Sequence, residues 1–161
     1  KAVTFVDNHD TQPGQSLESF VERWFKIPAY AITLLRDEGY PCVFWGDLYG
    51  IKHDNIEPVE ELKTVIDLRK EKAYGKQNDY FDHPNCIGWT REGDREHIKS
   101  GLAVLISNKF DAEKRMYIGT EFAGEKFIDS VGGCQEEVLI DNEGYGTFKV
   151  KAKSVSVWIN A

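Results

Sequence analysis

The apolar residues of this chain change their period once, near Gly75, and that change limits the possible folds more than any other feature. Before it, Leu17, Phe20, Val21, Trp24 and Phe25 recur at three- and four-residue spacing, and the pattern resumes after Pro28 with Ala31, Ile32 and Leu35. This spacing predicts a helix capped by Ser16, broken or kinked at Pro28 and ended at Gly39. Residues 2–6 and 41–45 are compact β-branched and aromatic runs, read as strands, and each runs into a polar loop. Pro58 opens a second predicted helix whose buried stripe is Val59, Leu62, Ile66 and Ala73, with Gly75 at its C′ position. Residues 1–75 therefore read as strand–loop–helix twice, two βα units of a parallel α/β architecture.

After Gly75 the apolar residues alternate in short runs near 79–81, 86–92, 101–107, 114–118, 125–129, 136–140, 146–150 and 154–159. Turn-formers separate them: Gly93-Asp94, Asn108, Gly132-Gly133 and a predicted hairpin turn at Asp141-Asn142-Glu143-Gly144. Residues 76–161 are expected to form an antiparallel β-sandwich or barrel with Trp89 and Trp158 in its core.

Composition removes several functions. No run approaches the roughly 18 apolar residues of a membrane span. Twenty Lys and Arg are interspersed among 27 Asp and Glu, a net charge of −7, which argues against a nucleic-acid partner. Cys42, Cys86 and Cys134 are odd in number and widely spaced, so neither a disulfide framework nor a metal knuckle is expected, and free thiols favour a reducing compartment. The chain opens inside a strand without an initiator Met, which reads as an excised piece.

The chemistry concentrates in Phe5-Val6-Asp7-Asn8-His9-Asp10. Two apolar strand residues deliver polar side chains to a strand's C-terminal end, where parallel α/β folds place their ligands. Asp7, Asn8 and Asp10 also suit simple turn capping, and from the residues alone both readings stand.

The stretch from Phe5 to Ser16 resembles the fourth sequence signature of the α-amylase family of glycoside hydrolases, liquefying and cytoplasmic bacterial types in particular. The likeness continues through Trp24-Phe25-Lys26, Gly39-Tyr40-Pro41, Gly46-Asp47-Leu48-Tyr49-Gly50, Asp79-Tyr80-Phe81-Asp82-His83, Gly88-Trp89-Thr90-Arg91-Glu92-Gly93-Asp94 and Ser154-Val155-Ser156-Val157. It implies the last two βα units of a (β/α)8 barrel over 1–75, and a C-terminal Greek-key β-sandwich domain over 76–161. It also implies a retaining endo-hydrolase of α-1,4-glucan, working through a carboxylate nucleophile and a carboxylic acid. By the resemblance Asp10 is the third acidic residue, binding hydroxyls of the ring distorted at the cleavage point. His9 donates to the same sugar, Gln12 and Gln15 line neighbouring subsites, and Asp7 and Asn8 shape the loop. The nucleophile and acid motifs have no counterpart here, and Asp47 reads as a structural turn residue, so the chain alone is expected to be inactive.

The resemblance further implies calcium in the full-length enzyme, with Asn85 and Asn108 offering only amides where some relatives hold a calcium between barrel and sandwich, and no calcium is expected in this stretch alone. Expected partners are α-glucan, the missing N-terminal part of the same protein, and a second copy through an exposed barrel edge, since two strands leave open edges and helix faces including Trp24, Phe25 and Leu35. A cytoplasmic location is expected from the thiols and from the likeness of the stretch Asp82 to Ile87, with secretion as the alternative. The alternative is a carbohydrate-binding or structural β-sandwich carried with a barrel remnant.

Overall fold

The structure, a computed structural model, describes residues 2–161. β1 (Val3–Thr4) and β2 (Tyr40–Pro41) pair in parallel, with Val3 opposite Tyr40, and α1 (Arg23–Leu35) forms the crossover between them. A short α2 (Trp45–Tyr49), a 3-10 turn at Lys52–Asp54 and α3 (Leu62–Glu71) follow. Among the described residues no other strand joins β1 and β2. Eight strands complete the chain: β3 (Gln77–His83), β4 (Cys86–Arg91), β5 (Leu102–Ser107), β6 (Ala112–Tyr117), β7 (Lys126–Asp129), β8 (Val138–Leu139), β9 (Tyr145–Val150) and β10 (Ser154–Asn160). They form a six-stranded antiparallel sheet in the order β3-β4-β5-β10-β7-β8 and a two-stranded antiparallel sheet, β6-β9.

The central strands of the six-stranded sheet, β4, β5 and β10, are buried on both faces, and their alternation assigns each residue to one of them. Leu102, Val104 and Ile106 of β5, with Val155 and Val157 of β10, join Tyr30, Ala31, Leu34 and Leu35 of α1 and Leu62, Val65 and Leu68 of α3. Ala103, Leu105 and Trp158 point the other way, onto Met116, Phe148 and Val150 of the β6-β9 pair. The layers run helices, sheet, smaller sheet. Both expected core tryptophans are fully buried. Trp89 also donates its indole N–H to the Leu35 carbonyl at 3.3 Å, joining β4 to the end of α1. Leu35, expected to lack a partner, is therefore completely covered, while Trp24 stays 40% exposed and packs on Phe25.

Several local expectations are corrected. Ser16 caps no helix, because the donors that would build a first turn are used elsewhere. Ser19 N–H goes to the Thr11 carbonyl at 3.0 Å and Val21 N–H to Asp7 Oδ1 at 3.2 Å. α1 begins only at Arg23, and it runs through Pro28 without interruption. Pro28 removes the one ladder bond that would reach Trp24, and burial of its ring in the helix interface accompanies that loss. The second strand, expected over 41–45, stops at Pro41, and a helix runs from Trp45 through 46–49, where a loop was expected. The predicted helix at Pro58 starts at Leu62. Gly75 lies beyond the C-cap of α3, Lys72, and serves a different purpose. It takes φ +78° against Gly93, where an added Cβ would stand 1.9 Å from the Gly93 carbonyl oxygen. The turn at Asp141 closes locally through Asp141 N–H to the Tyr145 carbonyl at 2.8 Å, but it joins strands of different sheets rather than a paired hairpin.

Candidate active site

The parallel pairing of β1 with β2 brings the loop after β1 beside the start of α2. Asp7, in the loop after β1, is 2% exposed, while Asp47, in α2, is 1% exposed. Between these two carboxylates stands Lys26 of α1, itself 3% exposed. Its ammonium donates to Asp7 Oδ2 and, at 2.7 Å, to Asp47 Oδ1, and it lies over the Phe20 ring, 3.3 Å from the centroid. The Tyr30 hydroxyl, one turn along α1, donates to Asp47 Oδ2 at 2.6 Å. Burial first, and then the Asp47 carboxylate, push the Tyr30 phenol far above its ordinary range, so it remains a donor at every working pH. One ammonium faces two carboxylates, and the cluster carries a formal charge of −1.

The loop is built on this base. Asp7 Oδ1 also accepts from the Thr11 hydroxyl at 3.3 Å. Thr11 Oγ1 accepts the Asn8 N–H at 3.1 Å, and Asn8 Oδ1 accepts the N–H groups of Asp10 at 2.9 Å and Thr11 at 3.1 Å. Asp7 and Asn8 thus shape the loop by hydrogen bonds. Asp10 and His9 point outward together: His9 Nε2 is 3.3 Å from Asp10 Oδ1, with side chains 84% and 58% exposed. Gln12 is held, its amide donating to Asp54 Oδ2 at 3.2 Å. Gln15 is exposed and takes part through its backbone, donating to the Gln12 carbonyl at 3.3 Å. The loop therefore has a buried ionic root and an exposed polar rim, able to present a carboxylate and an imidazole to a polyhydroxylated ligand.

Asn85 and Asn108 are adjacent elsewhere in the fold, the Asn108 N–H reaching the Asn85 carbonyl at 3.2 Å. They line a shallow groove with Trp24, Phe25 and Lys109. Amides beside an ammonium suit calcium poorly, since it prefers several anionic oxygens, and among the described residues no cluster of three His, Cys, Asp or Glu side chains is placed to hold a metal. All three cysteines are free, Cys42 exposed and Cys86 and Cys134 buried. Among the described residues no helix is long and apolar enough to cross a membrane.

Lys26 is the residue that sequence reading missed. Its signal was present: a lone lysine between Phe25 and Ile27 in an apolar helix, with Tyr30 one turn on, and an aspartate after each of the two strands.

Residues 102–159 match the family of α-amylase C-terminal domains. The chain is similar to an α-amylase of Bacillus licheniformis, with 53% identity over 99% of this chain and 32% of the relative. It is also similar to a cytoplasmic α-amylase of Escherichia coli, with 42% identity over 98% of this chain and 34% of the relative. The fold resembles a crystal structure of an Anoxybacillus α-amylase at a TM-score of 0.66 and 13% identity, covering 99% of this chain and 38% of that one. The chain thus spans about a third of the length of the curated relatives it matches. With identity of this level along nearly its whole length, and residues 102–159 matching the α-amylase C-terminal domain, the chain is similar throughout to the C-terminal third of these α-amylases.

Proposed function

We propose that this chain supplies the substrate-facing loop after strand seven, strand eight and the C-terminal β-sandwich of an α-amylase that cleaves α-1,4-glucan with retention. β1 and β2, parallel and joined by α1, have the connectivity that two consecutive barrel strands require. Residues 76–161 form the appended domain. The observation that carries the reading is the exposed Asp10–His9 pair on a loop whose root is buried. Asp10 binds hydroxyls of the ring at the cleavage point, and its charge-assisted hydrogen bonds strengthen as that ring flattens towards an oxocarbenium ion. That differential binding lowers the barrier. His9 donates to the same ring, and Gln12 and Gln15 border adjoining subsites.

The nucleophile and the acid come from the part of the polypeptide outside this chain. That part also covers the exposed Val3, Phe5, Tyr40 and Trp45, which otherwise favour self-association of the isolated chain. Calcium, if the full-length protein holds it, draws its carboxylates from elsewhere. The resemblance to the Escherichia coli relative supports a cytoplasmic location.

The test is hydrolysis of soluble starch by the full-length polypeptide and by its Asp10→Ala variant. Loss of about 10³-fold or more in kcat with an unchanged circular dichroism spectrum is expected. Near-normal cleavage by the variant, or cleavage by the isolated 161-residue chain, refutes the assignment.

A further inference from the structure

We propose that Lys26, although it touches no substrate, is a positioning residue for Asp10, an inference that rests on the function proposed above. The route is continuous. The ammonium holds Asp7, and Asp7 holds the Thr11 hydroxyl and the Val21 N–H. Thr11 then holds Asn8, and Asn8 holds the Asp10 N–H. Every link is a hydrogen bond within the loop or at its root, and the first is an ion pair closed off from water.

The same ammonium bonds Asp47 in α2, so the loops following both parallel strands are fixed by one charge. A lysine suits this task because its compact tetrahedral ammonium sends donors in different directions. A guanidinium is planar and larger, so placing one where the ammonium stands, 2.7 Å from Asp47 Oδ1 and against Phe20, requires the carboxylates to move apart. Substituting methionine preserves the stem and the packing on Phe20 but releases both carboxylates. Asp7 and Asp47 then repel one another, Asp7 turns towards solvent, and the Thr11–Asn8 turn that aims Asp10 loses its root. Misplacement of a reacting group by about 1 Å costs on the order of 100-fold in rate.

The experiment compares kcat and KM on a defined maltooligosaccharide for the full-length enzyme and its Lys26→Met, Asp10→Ala, Lys26→Met/Asp47→Asn and Lys26→Met/Asp10→Ala variants. Rates are normalised to the folded fraction by circular dichroism. The Lys26→Met/Asp47→Asn variant restores the cluster's native formal charge of −1 and guards against a simple failure to fold.

A positioning role predicts kcat reduced about 10- to 100-fold in Lys26→Met and in the charge-restored double variant, with KM within about threefold. It also predicts that Asp10→Ala costs far less in the Lys26→Met background than alone, because the first change has already misplaced the carboxylate. Full kcat per folded molecule in Lys26→Met, or strictly multiplicative effects of Lys26→Met and Asp10→Ala, overturns the inference while Asp10→Ala alone keeps its large loss of kcat. An active Asp10→Ala single variant instead removes the proposed function, and this inference with it.

Discussion

Because the cluster at the root of the loop holds two carboxylates and one ammonium, its members should differ sharply in their cost of removal. Lys26 is 3% exposed and Asp7 and Asp47 are 2% and 1% exposed, so solvent screens none of them. Lys26→Met leaves two buried carboxylates without a counter-charge, a change of the kind that costs about 3–5 kcal/mol. Asp47→Asn leaves the Lys26–Asp7 pair neutral and keeps an amide oxygen to accept the Tyr30 hydroxyl. Its cost should be near that of one imperfect hydrogen bond, about 1–2 kcal/mol. At about 2–4 °C per kcal/mol for a chain of this size, Lys26→Met lowers Tm by roughly 6–20 °C and Asp47→Asn by roughly 2–8 °C. The double variant should be less unstable than the sum of the two, because Asp47→Asn removes the repulsion that Lys26→Met creates. Thermal unfolding of the 161-residue chain followed by circular dichroism gives all three values. If Lys26→Met costs no more than Asp47→Asn, or the effects simply add, the charge argument for this cluster is wrong.

Two further outcomes follow from the packing. Gly75→Ala puts a methyl carbon 1.9 Å from the Gly93 backbone at a φ of +78°, so it should unfold the junction between α3 and β3 and cost more than about 3 kcal/mol, measurable by urea denaturation. Burial pushes the Cys86 and Cys134 thiols up while Cys42 is exposed, so a thiol reagent at neutral pH should add one label to the native chain and three after unfolding, counted by mass spectrometry.

The eight strands after Gly75 were legible because a period of two, interrupted by glycine and asparagine, is a local property. Every expected run overlaps an observed strand, although β8 shrinks to Val138–Leu139. What alternation does not reveal is that both faces are covered. β5 is buried at all six positions, and only the register of Val104 opposite Val157 and Ala103 opposite Trp158 separates the helix-facing residues from those facing β6-β9. The first half was less legible because its boundaries are set from a distance. Leu17, Phe20 and Val21 carry helical spacing, yet Asp7 and Thr11 claim the backbone donors around them, and the helix begins later. Tertiary hydrogen bonds override local propensity there.

The division of labour between Asp7 and Asp10 shows why a motif can be recognised before it is understood. Both lie in one six-residue stretch, and the resemblance gave the outer one a role in binding sugar and the inner one a role in shaping the loop. Geometry supplies the reason. Asp7 faces inward, where a carboxylate is tolerable only with a partner, and that partner lies on the following helix rather than in the motif. Asp10 faces outward, and among the described residues its carboxylate pairs only with His9. A loop that must offer an exposed carboxylate in a fixed direction needs its rigidity from below, and a buried ion pair supplies direction where a hydrophobic anchor would supply only attachment. Lys26 is thus tied to the loop by physical necessity, and a relative that replaced it while keeping both aspartates would have to neutralise them in another way.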